Sequence, residues 1–175
     1  EPLDVVELRL LGKDKPPIKL WTSADELPAM HEELQRYNRQ GYNVYGGINP
    51  RKAKGTSGDE SVLHARCLFA DFDDILPGDG FGPSEFVLMR IEEARLPNPT
   101  LVIYSGHGVH TYWRLSEPVE DLDKWKQLQE RLICALKSDK CIKNPERIMR
   151  LPGFLNDKKK PHTECFIVYK DVDYD

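Results

Sequence analysis

Two aspartates two residues apart, Asp71 and Asp73, close the apolar run Leu68-Phe69-Ala70. In a β-strand, residues i and i+2 share a face, so both carboxylates would leave the sheet side by side. Alone they repel, and one tends to hold its proton. A divalent cation removes the conflict, and Mg²⁺ and Mn²⁺ favour hard oxygen ligands of this kind. The pair alone carries little weight, because with Asp74 following it also reads as a solvated acidic turn.

A second group is Ser105-Gly106-His107-Gly108-Val109-His110. Its glycines let backbone N–H groups approach an anion closely. If Val109 opens a strand, His110 points to one face and can reach a phosphate. The plainer alternative is a hairpin with a satisfied core histidine. His107 and His110 also form His-x-x-His, the ligand type of a relaxase-like single-strand endonuclease. That chemistry needs a nucleophilic tyrosine, for which Tyr37 is the candidate, and a spacing of three fits a shared strand face poorly.

A third group runs from Asp139 through Glu146, Arg147, Arg150, Pro152-Gly153 and Asn156 to Lys158-Lys159-Lys160. Two arginines three apart suit a polyanion, since each guanidinium offers a planar fork to phosphate. The lysine run also suits a merely solvated surface.

The elements that must position these groups follow from pattern. Residues 5–11 and 18–22 predict a hairpin of strands. Ser23 with Glu26 predicts a capping box opening a helix that runs to Gln40, where Gly41 stops it. Residues 42–48 predict a strand, and 51–60 a basic, flexible loop. Residues 63–72 predict a mostly buried strand. Pro77 to Pro83 breaks the chain, and Ser84 caps a helix to about Arg95. Strands are expected at 101–104 and 109–115, joined by the Ser105–Gly108 turn. Leu122, Trp125, Leu128, Leu132 and Leu136 recur at helical steps. Short strands at 147–151 and 165–169 close the chain. The order predicts an α+β arrangement, a mixed or antiparallel sheet with helices on one face.

Composition sets outer bounds. With 175 residues, 39% hydrophobic and 31% charged, the chain can bury a core and reads as one domain over 1–175, compatible with a piece of a longer protein. No apolar run reaches bilayer length, so no membrane is expected. A net charge of −4 argues against a globally basic nucleic-acid binder while leaving room for a local basic groove. Cys67, Cys134, Cys141 and Cys165 form no Cys-x-x-Cys pair, which argues against structural zinc and suggests reduced thiols in a cytoplasmic protein.

Taken in order, Leu68–Asp73, Ser105–Trp113 and Arg147–Asn156 resemble the motifs of the archaeo-eukaryotic primase superfamily, above all its primase-polymerase and RepB-type primases. Gly47-Ile48-Asn49-Pro50-Arg51 looks like the segment upstream of the first motif. The resemblance implies an RNA-recognition-like sheet core with helices packed on it, beside a small N-terminal αβ module. It implies two divalent metals, Mg²⁺ or Mn²⁺, on Asp71 and Asp73. It assigns a third carboxylate to Asp139, with Glu146 as the alternative. Ser105, Gly106, His110, Arg150 and Lys158 become nucleotide-binding candidates, His110 and Arg150 neutralising the triphosphate. Tyr112 or Trp113 becomes a base-stacking candidate.

The implied function is a DNA primase or primase-polymerase of a plasmid, phage or mobile element. Such a template-directed nucleotidyl transferase acts on nucleoside triphosphates and a single-stranded DNA template, with a helicase or further domains as partners. The alternatives are a non-catalytic single-strand-binding module of a replication initiator, and last the relaxase-type nuclease.

Overall fold

The computed structural model describes residues 3–73 and 82–171. Asp74 and the 77–81 part of the expected chain break lie outside the described residues. Among the described residues nine strands form two sheets, and every paired strand runs antiparallel. The first contains β1 (Val5–Gly12), β2 (Ile18–Ser23), β3 (Tyr42–Gly47) and β7 (Ile148–Arg150), in the order β2-β1-β3-β7. The second contains β4 (Ala65–Asp73), β5 (Leu101–Tyr104), β6 (Gly108–Val119), β8 (Phe154–Asn156) and β9 (Thr163–Lys170), in the order β4-β6-β5-β9-β8. Helix α1 (His31–Arg39) covers the first sheet, α2 (Pro83–Glu93) covers one face of the second, and α3 (Leu122–Leu136) lies along its β4 edge with side chains reaching both faces. No helix among the described residues is long and apolar enough to cross a membrane.

Alternation along the strands sorts the second sheet's side chains. Ala70, Phe72, Val102, Val109 and Trp113 face the helices and pack on Val87 and Ile91 of α2 and on Leu132 and Leu136 of α3. Each valine, leucine, isoleucine or phenylalanine among them, fully buried, contributes about 1.5–3 kcal/mol. Phe69, Ile103 and Tyr112 face the other way and pack with Met149 of β7 and with Trp125. The two sheets therefore meet on the face opposite α2, and the cleft between them houses the acidic residues.

The N-terminal αβ module is not built from the N-terminus alone. Strand β7 returns from late in the chain to pair with β3, setting Arg150 opposite Tyr45. Strand β8, three residues long, was not foreseen. The first helix starts later than expected. Beginning at residue 24, it would carry Pro28 in its interior, where proline lacks the N–H and clashes with the preceding turn. The chain instead makes a 3-10 turn, Leu27–Met30, before α1. Ser23 ends β2, and Glu26 hydrogen-bonds back to it without capping a helix. Helix α2 opens at Gly82, not Ser84, and the Glu85 carboxylate accepts from the Gly82 N–H at 2.9 Å.

Arg51 is no part of a flexible loop. It is buried, and its Nε and Nη2 donate to Glu7 Oε2 at 2.9 and 2.7 Å. Its remaining N–H groups reach the carbonyls of Asn49 and Glu146. The pair ties β1 to the segment entering β7.

Candidate active site

Strand β4 lies at the edge of its sheet and pairs with β6 so that Asp71 stands opposite His110 and Asp73 opposite Gly108. That closeness requires glycine. A β-carbon at 108 would collide with the Phe72 carbonyl oxygen and lie 3.1 Å from Asp73 Cα. The outer edge of β4 is satisfied from α3 and the turn after it. Buried Gln129 accepts from the Phe69 N–H at 3.2 Å and donates to the Phe69 and Ile142 carbonyls at 2.6 and 3.1 Å. Lys137 then turns the chain in the left-handed conformation, φ 53°, and the Ser138 N–H closes back on the Ile133 carbonyl at 3.2 Å. The next N–H, that of Asp139, donates to the Asp71 carbonyl at 3.0 Å.

These bonds bring a third carboxylate to the pair. One oxygen each of Asp71, Asp73 and Asp139 lies within 4.8 Å of the others, the one such acidic or metal-ligating trio among the described residues. Asp71 Oδ1 is enclosed and has no hydrogen-bond partner. Burial first, then repulsion from Asp73 and Asp139, raises the Asp71 carboxyl to about 7, against a smaller opposing pull from Arg147 and Lys158. A cluster of hard oxygens with an unpartnered, destabilised charge at its centre fits a divalent cation. Glu146, the alternative third carboxylate, faces away. Its Oε2 accepts from the Gly58 N–H at 2.7 Å.

The carboxylates border a cavity of about 420 Å³ whose walls also carry His110, Arg147, Arg150, Lys158 and Lys159. Arg150 comes from β7, donates to Asn43 Oδ1 at 2.6 Å and sits 4.8 Å from the Tyr45 ring. Tyr45 lines the cavity too and was not singled out from the sequence, although the alternation of residues 42–48 gives it a common face with Asn43. Lys158 is placed by its N–H, which donates to Asn156 Oδ1 at 3.0 Å.

His110 differs from expectation. It is 5% exposed, and burial, then the charge of Arg150, pushes it down to about 3. It is therefore uncharged at neutral pH and offers a hydrogen bond where a cation was expected. Its Nε2 stands 3.6 Å from Asp71 Oδ1, and its Nδ1 lies 3.3 Å from the Tyr112 hydroxyl.

Two other candidates serve the turn more than the cavity. The Ser105 hydroxyl lines the cavity but donates to the Gly108 carbonyl at 3.2 Å. Gly106 adopts φ 96° and does not line it. A β-carbon there would collide with Thr163 Oγ1 and lie 3.0 Å from Asn156 Cβ. Nor are the stacking candidates available. Tyr112 and Trp113 are 7% and 8% exposed, and Trp113 Nε1 donates to the Pro97 carbonyl. The relaxase arrangement does not assemble. His107 and His110 both line the cavity, but Tyr37, on α1, is partly buried edge-on against Tyr42 and does not line it.

No protein-family model and no curated protein matches the sequence. Solved structures do match the fold. The AEP domain of the primase-polymerase of cyanophage S-2L superposes with a TM-score of 0.72 at 22% identity, over 97% of this chain and 84% of that one. Primase RepB′ gives 0.68 at 20% identity over 95% of this chain, which spans about half (51%) of that protein. The catalytic domain of RepB′, solved in complex with initiator DNA, gives 0.67 at 20% identity over 95% and 77%. The chain has the α+β fold of primase-polymerase domains.

Proposed function

We propose that residues 1–175 act as a template-directed nucleotidyl transferase of the primase or primase-polymerase kind. One observation carries the reading: a single cavity holds three converging carboxylates beside four cationic side chains, Arg147, Arg150, Lys158 and Lys159. That polarity suits a nucleoside triphosphate, whose reacting phosphorus needs metal and whose leaving phosphates need positive charge. Asp71, Asp73 and Asp139 would hold two Mg²⁺ or Mn²⁺ ions. Bound there, such ions lower the pKa of an attacking 3′-hydroxyl and stabilise developing charge on the leaving pyrophosphate.

The chain's own groups do the rest. Arg150 is held by Asn43 and Tyr45, so its guanidinium meets the triphosphate without losing much freedom. Lys158 and Lys159 add charge from the cavity wall. Burial keeps the Tyr112 hydroxyl protonated well beyond its ordinary range, so it can donate to His110 Nδ1. The His110 proton then sits on Nε2, facing Asp71 and the cavity, as a neutral donor to a phosphate oxygen. Single-stranded DNA is the proposed template, and its binding should weaken steeply with salt.

The test is incorporation of labelled nucleotide on a single-stranded template with Mg²⁺ or Mn²⁺. Wild type is expected to form product, and Asp71→Ala/Asp73→Ala to abolish it. Asp139→Ala should do the same, and Arg150→Ala should raise the nucleotide KM. A wild type without product, or a double variant as active as wild type, overturns the reading.

A further inference from the structure

The three carboxylates also border a second cavity, of about 390 Å³. It shares only these acids with the first and lies on the helix side of β4, where Phe72, Phe86, Arg90, Lys137 and Ser138 complete its walls. Arg90 of α2 donates through Nη1 to the Leu136 carbonyl at 3.2 Å, with the Phe86 ring 5.0 Å away. The guanidinium is thereby fixed at the C-terminus of α3, and its charge offsets the carbonyls exposed there. Ser138 is 7% exposed, and its enclosed Oγ has no hydrogen-bond partner. An enclosed hydroxyl left without a partner is costly until a ligand supplies one.

Lys137 is the third sign. It occupies the left-handed position that ends α3, φ 53°, where glycine avoids the strain of a β-carbon. A lysine there places a cation at the rim of the second cavity, against the local backbone preference. The same turn delivers Asp139 to the acidic cluster.

We propose that the second cavity binds a phosphodiester of the strand whose 3′-hydroxyl is extended, through Arg90, Lys137 and Ser138. The inference rests on the nucleotidyl-transfer reading. In-line displacement sets attacking and leaving oxygens on opposite sides of phosphorus. The first cavity has the larger cation set and suits the leaving pyrophosphate. The second meets it only at the carboxylates and carries two cations and a hydroxyl, matching the single charge of a diester.

The experiment uses the full chain with Lys137→Gly and, separately, Ser138→Ala. Glycine suits the left-handed position, so Lys137→Gly should melt at or above the wild-type temperature. Primer extension on a recessed primer–template should show a strand KM raised about tenfold, the loss of one charge-assisted contact. The nucleotide KM and the inhibition constant of pyrophosphate should not move. The salt slope of primer–template binding should fall by about 0.7–0.9, one phosphate contact. Weakened pyrophosphate inhibition with an unchanged strand KM would assign the cavity to the leaving group and overturn the proposal. Variants that extend and bind like wild type overturn it as well. A wild type that extends no primer sinks the nucleotidyl-transfer reading, and this inference with it.

Discussion

Replacing Asp71 with asparagine should make the metal-free protein more stable while removing a ligand of the proposed metal site. Burial and two neighbouring carboxylates raise Asp71 from an ordinary 3.8 to about 7. Its side chain is only 15% exposed, so water screens little of the penalty. Between about pH 4 and pH 7 the unfolded chain has released this proton and the folded chain keeps it. Folding therefore binds a proton, and stability falls as pH rises through that window. Above pH 7 the full penalty applies, roughly 4 kcal/mol at 1.36 kcal/mol per pH unit. The substituted amide carries no charge at any pH. In EDTA at pH 8, Asp71→Asn should melt up to about 10 °C above wild type. The gap should narrow toward zero near pH 4, where wild type keeps its proton. Adding Mn²⁺ should raise the wild-type melting temperature and leave the variant's unchanged. Thermal melts from pH 4 to 8, with and without metal, decide the matter. A variant less stable than wild type at pH 8 without metal, or a gap independent of pH, refutes the reasoning.

Gly108→Ala should cost about 2–3 kcal/mol through overpacking against β4. By moving Asp73 it should also weaken Mn²⁺ binding by calorimetry, so unchanged affinity would count against the Gly108–Asp73 contact. Gln129→Leu leaves the Phe69 N–H and two carbonyls without their partner. It should cost about 3 kcal/mol or more in denaturant melts and speed amide exchange at Phe69. Arg51→Met leaves the buried Glu7 carboxylate with Arg9 alone, at a cost of about 3–5 kcal/mol. Burial raises Glu7, but hydrogen bonds to Arg9 and Arg51 outweigh it and hold its carboxyl below the ordinary 4.5. In wild type this contribution is present above pH 4.5 and lost as pH falls through the lowered value. The variant should thus lie closest to wild type in acid, and equal losses at pH 4 and pH 7 would contradict the pairing.

What the sequence made legible depended on range. The β4 run, the β5–β6 hairpin and α3 each carry their pattern within a dozen or so residues, and each formed where expected. The repulsion inferred for Asp71 and Asp73 needed only strand alternation, and the raised Asp71 carboxyl agrees with it. Asp139 could be suggested from motif order, but its place depends on a left-handed Lys137 and a backbone bond to Asp71 that no local pattern announces. Other features arise between distant segments. Glu7 and Arg51 lie 44 positions apart and look like ordinary surface charges until the fold buries both. Gln129 reads as a polar position on an amphipathic helix, yet it completes the edge of β4. Strand β7 formed within the expected 147–151, but three residues carry no signal of their pairing partner, so the return of Arg150 to the N-terminal sheet was hidden, as was the equally short β8. The uncharged state of His110 is likewise a product of depth and of Arg150, which sits far along the chain.

Because Gln129 and Asp139 occupy the outer edge of β4, no strand from another molecule can add there. Elsewhere the second sheet is less guarded. Strand β8 pairs with β9 only at Thr163–Cys165, and beyond it Phe166 and Ile167 are 46% and 49% exposed. A strand added from another molecule would therefore meet the far side of that sheet. The acidic end would stay open to solvent, shielded along its strand edge by a helical glutamine and the backbone of the third aspartate.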